Sequence, residues 1–419
     1  MSSARRTRTL GLGASVRHFN DLAVPGLGGV WYGKQLLLAT LGVAVAQEAR
    51  RRGSKVQNIE VANAIEALAC WLAFRSNGWS SDPRLRGNTK LQDKDNKDFS
   101  FRRVRQRNFY VTQPMRMATV QALPALGFVE SDSVRFNAFQ CLDDGVSFIE
   151  KASGGSRSLN RSVMDRLTLW AQMKDIEVDK PALREVLSPL TRLSDETIPL
   201  LRERLIRGGD ESLEDKSRRA NALAWVETLR RTKTTQQTWM QRPSEIAQNH
   251  WNDLQSGAMF FQARDAAIAT LDAAESEMGI QTNGKGIDLK KQVPDSLLVP
   301  IEKLKNLAKA YFDFKSTDED ANQFCEECLV NDPISILRSL VKRDGQVLRL
   351  VGEEIKPGPA FRGSQTPIGI DDEQEIPQAQ GLSLPDGISY RMRNLYLLNL
   401  DMHGELDAWL DSTSTGSDV

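Results

Sequence analysis

The chain has 419 residues, 40% hydrophobic and 26% charged, and its 55 Lys/Arg balance 55 Asp/Glu to a formal net charge of zero. Such a composition fits a globular protein of two or three domains, most of which buries a core. Four scattered cysteines, Cys70, Cys141, Cys325 and Cys328, exclude a disulfide framework and suit a reducing, cytoplasmic setting. Met1 to Thr9 is Arg-rich and lacks the apolar region of a signal peptide.

The balance of charge hides an asymmetry. Residues 1–116 carry 20 Lys/Arg against 8 Asp/Glu, a net of +12, whereas residues 161–419 carry 32 against 42, a net of −10. A basic end commonly faces a polyanion. The same asymmetry also arises if the two halves face each other or an acidic partner, and both readings stand at this point.

In chain order, residues 1–24 read as a flexible basic arm. Pro25-Gly26-Leu27-Gly28-Gly29 then breaks the chain before a helix over Gly33–Arg52, whose cationic end suits the helix dipole and whose stop is Gly53. The apolar run Val30–Ala46 inside it is interrupted by Lys34 and Gln35. It falls short of the roughly 20 residues that a membrane span needs, so a buried core helix is expected and no membrane partner. A second helix starts after Asn58 and carries Ala62, Ile65, Leu68, Ala69 and Leu72 at helical spacing. Small residues on both helices predict a close helical hairpin.

Residues 76–98 read as loop from Asn77-Gly78, Asp82-Pro83 and Gly87-Asn88. Asp98 to Tyr110 alternates aromatic and basic residues, which predicts a strand. Pro114–Leu126 reads as a helix with a Leu-Gly-Phe-Val exit. An extended piece, Val134 to Leu142, and an Asp143-Asp144-Gly145 turn into a final helix follow. Residues 113–152 thereby resemble the latter half of a winged-helix domain, with recognition helix, small β-wing and closing helix. The resemblance implies a DNA-binding or protein-interaction module, although Arg116 is the one cation of the recognition helix and Pro124 lies near its end.

Ala152 to Arg157 reads as a linker. Helix follows helix to about Lys342, and Gln346 to Val351 reads as a strand. Residues 356–380 read as an acidic Pro/Gly-rich loop, and 381–419 as a C-terminal docking segment and tail. The expected architecture is mainly α with minor β: a basic N-terminal domain (25–152) with the hairpin and the winged-helix-like part, then a helical domain (158–355).

Catalytic signatures are weak throughout. Gly28 to Gln35 matches Gly-x4-Gly-Lys, but Gln35 stands where a P-loop needs Ser or Thr, and Trp31 and Tyr32 crowd the loop. Cys325-Glu326-Glu327-Cys328 has zinc-knuckle spacing without a second ligand pair, and His18, His250 and His403 are isolated. No catalytic residue, metal or cofactor is assigned.

The feature that carries chemistry is the basic-aromatic stretch. Arg102, Arg103, Arg105 and Arg107 supply phosphate-pairing charge, and Phe101 and Tyr110 supply rings able to stack on bases. Arg84, Arg86 and Lys90 upstream, with Arg116 downstream, complete the expected nucleic-acid-binding set, and Lys94 and Lys97 lie between them. The function expected is a non-catalytic adaptor subunit of a larger, bacterial, multiprotein complex. It would meet DNA or RNA through the N-terminal region and other protein subunits through the helical region, in genome maintenance or mobile-element defence. Two alternatives stay open: a scaffold whose Arg-rich face binds an acidic partner, and a nuclease-like enzyme whose site is dispersed in sequence.

Overall fold

The computed structural model describes residues 8–94, 98–154, 157–158, 161–232, 237–280, 286–363 and 382–414. Among them the chain is mainly α, 60% helix against 4% strand. The helices of the first half are α1 (Gly13–Ala23), α2 (Gly33–Arg51), α3 (Asn58–Ser76), α4 (Asn88–Gln92), α5 (Phe101–Val104), α6 (Arg116–Thr119), α7 (Ala122–Ala125), α8 (Asp143–Ala152), α9 (Val163–Ala171) and α10 (Pro181–Leu187). Those of the second half are α11 (Ile198–Arg207), α12 (Leu213–Thr232), α13 (Gln248–Ile280), α14 (Asp295–Tyr311), α15 (Glu319–Cys328), α16 (Pro333–Asp344), α17 (Tyr390–Met402) and α18 (Leu406–Ser414). The strands form three small antiparallel sheets: β1 (Val129–Glu130) with β2 (Gln140–Cys141), β3 (Arg157–Ser158) with β4 (Arg161–Ser162), and β5 (Ile287–Asp288), β6 (Leu348–Val351) and β7 (Glu354–Pro357) in the order β5-β7-β6.

The centre of the first half is the pair α2 and α3. Residues 33–46 of α2 are all buried, which is what a helix apolar on every side requires. No helix among the described residues is long and apolar enough to cross a membrane. The Gln35 side chain accepts the Trp31 N–H at 2.8 Å and so caps the start of α2. Small residues bring the pair together: a Cβ at Gly42 would lie 2.5 Å from the Ala62 Cβ.

Two hydrophobic clusters result. The larger runs from Ala23 to Leu254 and takes back Leu382 to Leu406. The smaller joins Phe260–Ala360 to Leu10, Leu12 and Phe19. The long α13 serves both, so the packing divides between Leu254 and Phe260, inside one helix. The Gly-rich stretch expected as a linker at 152–157 separates α8 from α9, yet both pack on α2 within the same cluster. Residues 8–23 are no arm either. Leu10, Leu12 and Phe19 are buried, and the Phe19 ring meets Phe260 at 5.0 Å. Burial of these three apolar side chains against the smaller cluster overrode the basic composition. The expected arm's residues 1–7, Lys97 and most of the acidic loop (364–380) lie outside the described residues.

Two local expectations are corrected. Asp98–Tyr110 is not a strand. Asp98 accepts the Ser100 N–H at 2.6 Å, Ser100 O accepts from Arg103 and Val104, and the chain turns through α5 and two further bends to Phe109. Phe101 and Val104 are buried at i and i+3, the helical spacing, while the strand reading put Val104 on the opposite face.

Pro114–Leu126 is not one helix. Pro124 has no N–H to offer Val120, and the Ala118 carbonyl instead accepts the Gly29 N–H at 2.9 Å. The backbone stays helical at Val120 and Gln121 but the ladder is interrupted, leaving α6 and α7 as separate four-residue pieces. Gly28, at φ +61°, has to be glycine: a Cβ there would sit 2.6 Å from the Ala118 oxygen.

Candidate nucleic-acid interface

The arginines of the 98–110 stretch fan out from its turns. Arg102 and Arg107 are exposed, and Arg103 and Arg105 are half-buried. The Arg105 guanidinium reaches Glu60 on α3 at 2.5 Å. Arg103 lies over the Phe109 ring at 5.8 Å and donates to the Asp98 carbonyl at 3.4 Å.

Arg116 starts α6. Its Nε donates to Asn63 Oδ1 at 2.5 Å and its guanidinium lies 5.4 Å over Phe136. Beneath it the Glu66 carboxylate, fully within the core, accepts the Met115 and Arg116 N–H groups at 2.7 and 3.1 Å. Burial raises the Glu66 pKa, while the two backbone N–H groups oppose the rise. Glu66 therefore fixes where α6 begins, and through it where the Arg116 side chain leaves the backbone.

Arg102, Arg105, Arg107 and Arg116 line one groove of about 770 Å³, with Asn63, Gln106 and Asn108 as neutral polar neighbours. Glu60 is the single carboxylate among the lining residues. Four cations against one anion in one concavity concentrate positive potential there.

The rest of the expected set does not join them. Phe101 is 1% exposed and packs edge-on against Trp170 at 5.2 Å. Tyr110 is 4% exposed, and its hydroxyl donates to Cys70 Sγ at 3.3 Å. Neither ring can stack on a base, because both fill the core that holds the turns. Arg84 is buried and pairs with Asp82 at 2.8 Å and Asp407 at 2.6 Å, so it ties α18 to the first half. Arg86 and Lys90 are half-buried and do not line the groove. The Lys90 carbonyl accepts the Lys94 ammonium at 2.7 Å.

Sequence reasoning passed over Glu60, Asn63 and Glu66. Their spacing at i, i+3 and i+6 along a helix expected from Asn58 was the available signal.

The other motifs resolve as packing. The Lys34 ammonium is buried and donates to the Val186 carbonyl at 2.6 Å, and burial lowers its pKa to about 8. It faces protein rather than a phosphate. Cys325 and Cys328 are both buried on α15, and burial pushes the Cys328 thiol up to about 12. Among the described residues no three His, Cys, Asp or Glu side chains gather as a metal site. No protein-family model, curated protein or solved structure matches the chain.

Proposed function

We propose that the chain is a non-catalytic adaptor that contacts the phosphates of a nucleic acid through the arginine groove and docks other protein subunits on its helical remainder. The observation that carries this reading is the convergence of Arg102, Arg105, Arg107 and Arg116 on one concavity with Glu60 as its one acid. With Phe101 and Tyr110 in the core, contact is to the backbone, so binding is tolerant of sequence and open to DNA or RNA. The winged-helix-like order at 113–152 plays a supporting part. Its broken helix offers Arg116 to the groove and no continuous face to a major groove.

Binding of fluorescently labelled duplex DNA, single-stranded DNA and RNA, titrated across salt, tests the proposal. Four phosphate contacts would give a slope of log K against log salt near −3.6 on duplex DNA. Reversing the two exposed cations, Arg102→Glu with Arg107→Glu, flattens the slope by about 2 and leaves the fold intact. Wild-type affinity in that double variant would remove the groove from the account.

The absence of a stacking ring among the groove's lining residues also suits the acidic flank of a partner protein, the second reading. Binding of an acidic peptide that the double variant loses, with no affinity for any of the three polymers, would select it.

A further inference from the structure

A second cleft, of about 780 Å³, shares no lining residue with the arginine groove. Its walls are α7, the connection from β1 to β2, and the Gly209–Glu211 turn ahead of α12. Pro124, Val129, Phe139 and Leu142 give it an apolar lining, and Val134, which also lines it, is 88% exposed. Val134 thus carries the apolar lining out to the surface.

The charge of the cleft is of one sign. Asp21, Glu130, Asp132, Asp210 and Glu211 line it, and no Lys, Arg or His does. Two of the five are answered from behind: Arg391 reaches Asp21 at 2.5 Å, and Arg219 grips Glu211 through two bonds of 2.8 and 2.5 Å. Glu130, Asp132 and Asp210 are exposed and have no ion-pair partner among the described residues. These acids do not gather into a group of three that could hold a metal ion. They are spread along a rim, which suits a ligand whose positive charges are also spread.

The walls are held before any ligand arrives. The Gly209 N–H donates to the Ala125 carbonyl at 2.7 Å, Arg204 Nε to the Leu126 carbonyl at 2.7 Å, and Arg219 Nη1 to the Pro25 carbonyl at 3.0 Å. A preformed cleft binds without the ordering cost of a loose one.

We infer that this cleft docks a basic amphipathic segment of a partner protein, an apolar side chain entering the floor while flanking Lys or Arg meet Glu130, Asp132 and Asp210. The site is separate from the arginine groove and of opposite charge, so one chain would bridge a polyanion and a basic protein segment.

The test uses the full chain and a fluorescein-labelled peptide in which pairs of lysines flank leucines, at about 50 mM salt. Saturable binding is expected, weakened about tenfold or more by the triple variant Glu130→Lys, Asp132→Lys and Asp210→Lys, and weakened also by Val134→Ser, which removes apolar surface without changing charge. A control triple variant at exposed acids that do not line the cleft, Asp313→Lys, Glu319→Lys and Glu326→Lys, should bind the peptide as the wild type does. All three rim acids are exposed, so the variant should melt like the wild type, and its nucleic-acid binding should stay at least as tight. Equal binding by the rim variant, equal binding of a peptide with serine in place of leucine, or no binding of the basic peptide would each overturn the inference. Loss of polymer binding in Arg102→Glu/Arg107→Glu with peptide binding kept would separate the two sites.

Discussion

Replacing Gly42 with alanine sets two effects of known sign against each other. Gly42 sits in the interior of α2, where alanine ordinarily stabilises a helix by about 1 kcal/mol. Against this, the new Cβ would lie 2.5 Å from the Ala62 Cβ and 2.6 Å from the Ala62 Cα. Carbon atoms rest at roughly 3.5–4 Å, so α2 and α3 must part by about 1 Å over a contact buried on both sides. Overpacking of this kind costs about 1–3 kcal/mol, and the upper part of that range, about 2–3 kcal/mol, applies here because the nearest atoms are fixed to a helix rather than to a flexible side chain. The clash wins: Gly42→Ala should destabilise by about 1–2 kcal/mol net, read as a lower urea midpoint at unchanged slope. The double variant Gly42→Ala/Ala62→Gly removes the Cβ contact but keeps the 2.6 Å approach to the Cα of residue 62, so it should stay less stable than wild type. A single variant at least as stable as wild type would refute the argument, because propensity would then outweigh the contact.

Two further outcomes follow from buried charge. Asp401 accepts the Gly33 N–H at 2.8 Å, and burial raises its pKa to about 6. A carboxyl that holds its proton more tightly when folded contributes stability that is full below about pH 4 and lost as pH rises through 6, on the order of 3 kcal/mol. The Tm of wild type minus that of Asp401→Asn should therefore fall between pH 4 and 6.5, and a flat difference would contradict it. Arg84→Ala removes the clamp between Asp82 and Asp407 and should raise hydrogen exchange in α18 while costing about 1–3 kcal/mol. Exchange in α18 that stays at the wild-type rate would show that apolar packing alone holds it.

How far the sequence could be read depended on whether a feature was local. The α2 and α3 helices were legible because helical spacing, small residues and Gly53 all agree. The 98–110 stretch was not, since its alternation of rings and arginines fits a strand as well as a chain of turns. Distant residues decide it: Trp71 stacks on Phe99 at 4.0 Å, and Trp170 Nε1 donates to the Phe99 carbonyl at 3.1 Å. The arginines of the groove were legible as a run of sequence neighbours. Which of them face solvent was not, and neither was the burial of Phe101 and Tyr110, because a ring next to an arginine in sequence says nothing of which side the core takes. Glu60 and Asn63, some forty residues earlier, meet the groove only through the packing of α3.

The charge asymmetry shows most plainly how composition and structure part company. The N-terminal excess of +12 invites a large polyanion footprint, yet much of it is matched within the chain. Arg8 pairs with Asp272, Glu275 and Asp344, Arg52 with Glu48 and Asp165, Arg75 with Asp179, and Arg84 with Asp82 and Asp407. Most of these acids belong to the second, acidic part of the sequence, so part of the basic end faces the acidic part of its own chain. Arg105 and Arg116 are half committed, to Glu60 and Asn63, and must share or release those partners to meet a phosphate. Arg102 and Arg107 are the exposed pair at the groove. The salt dependence of binding should thus resemble that of two to four contacts rather than twelve. A measured slope much steeper than about −3.6 would place further cations of the chain on the polymer and make the groove only part of the interface.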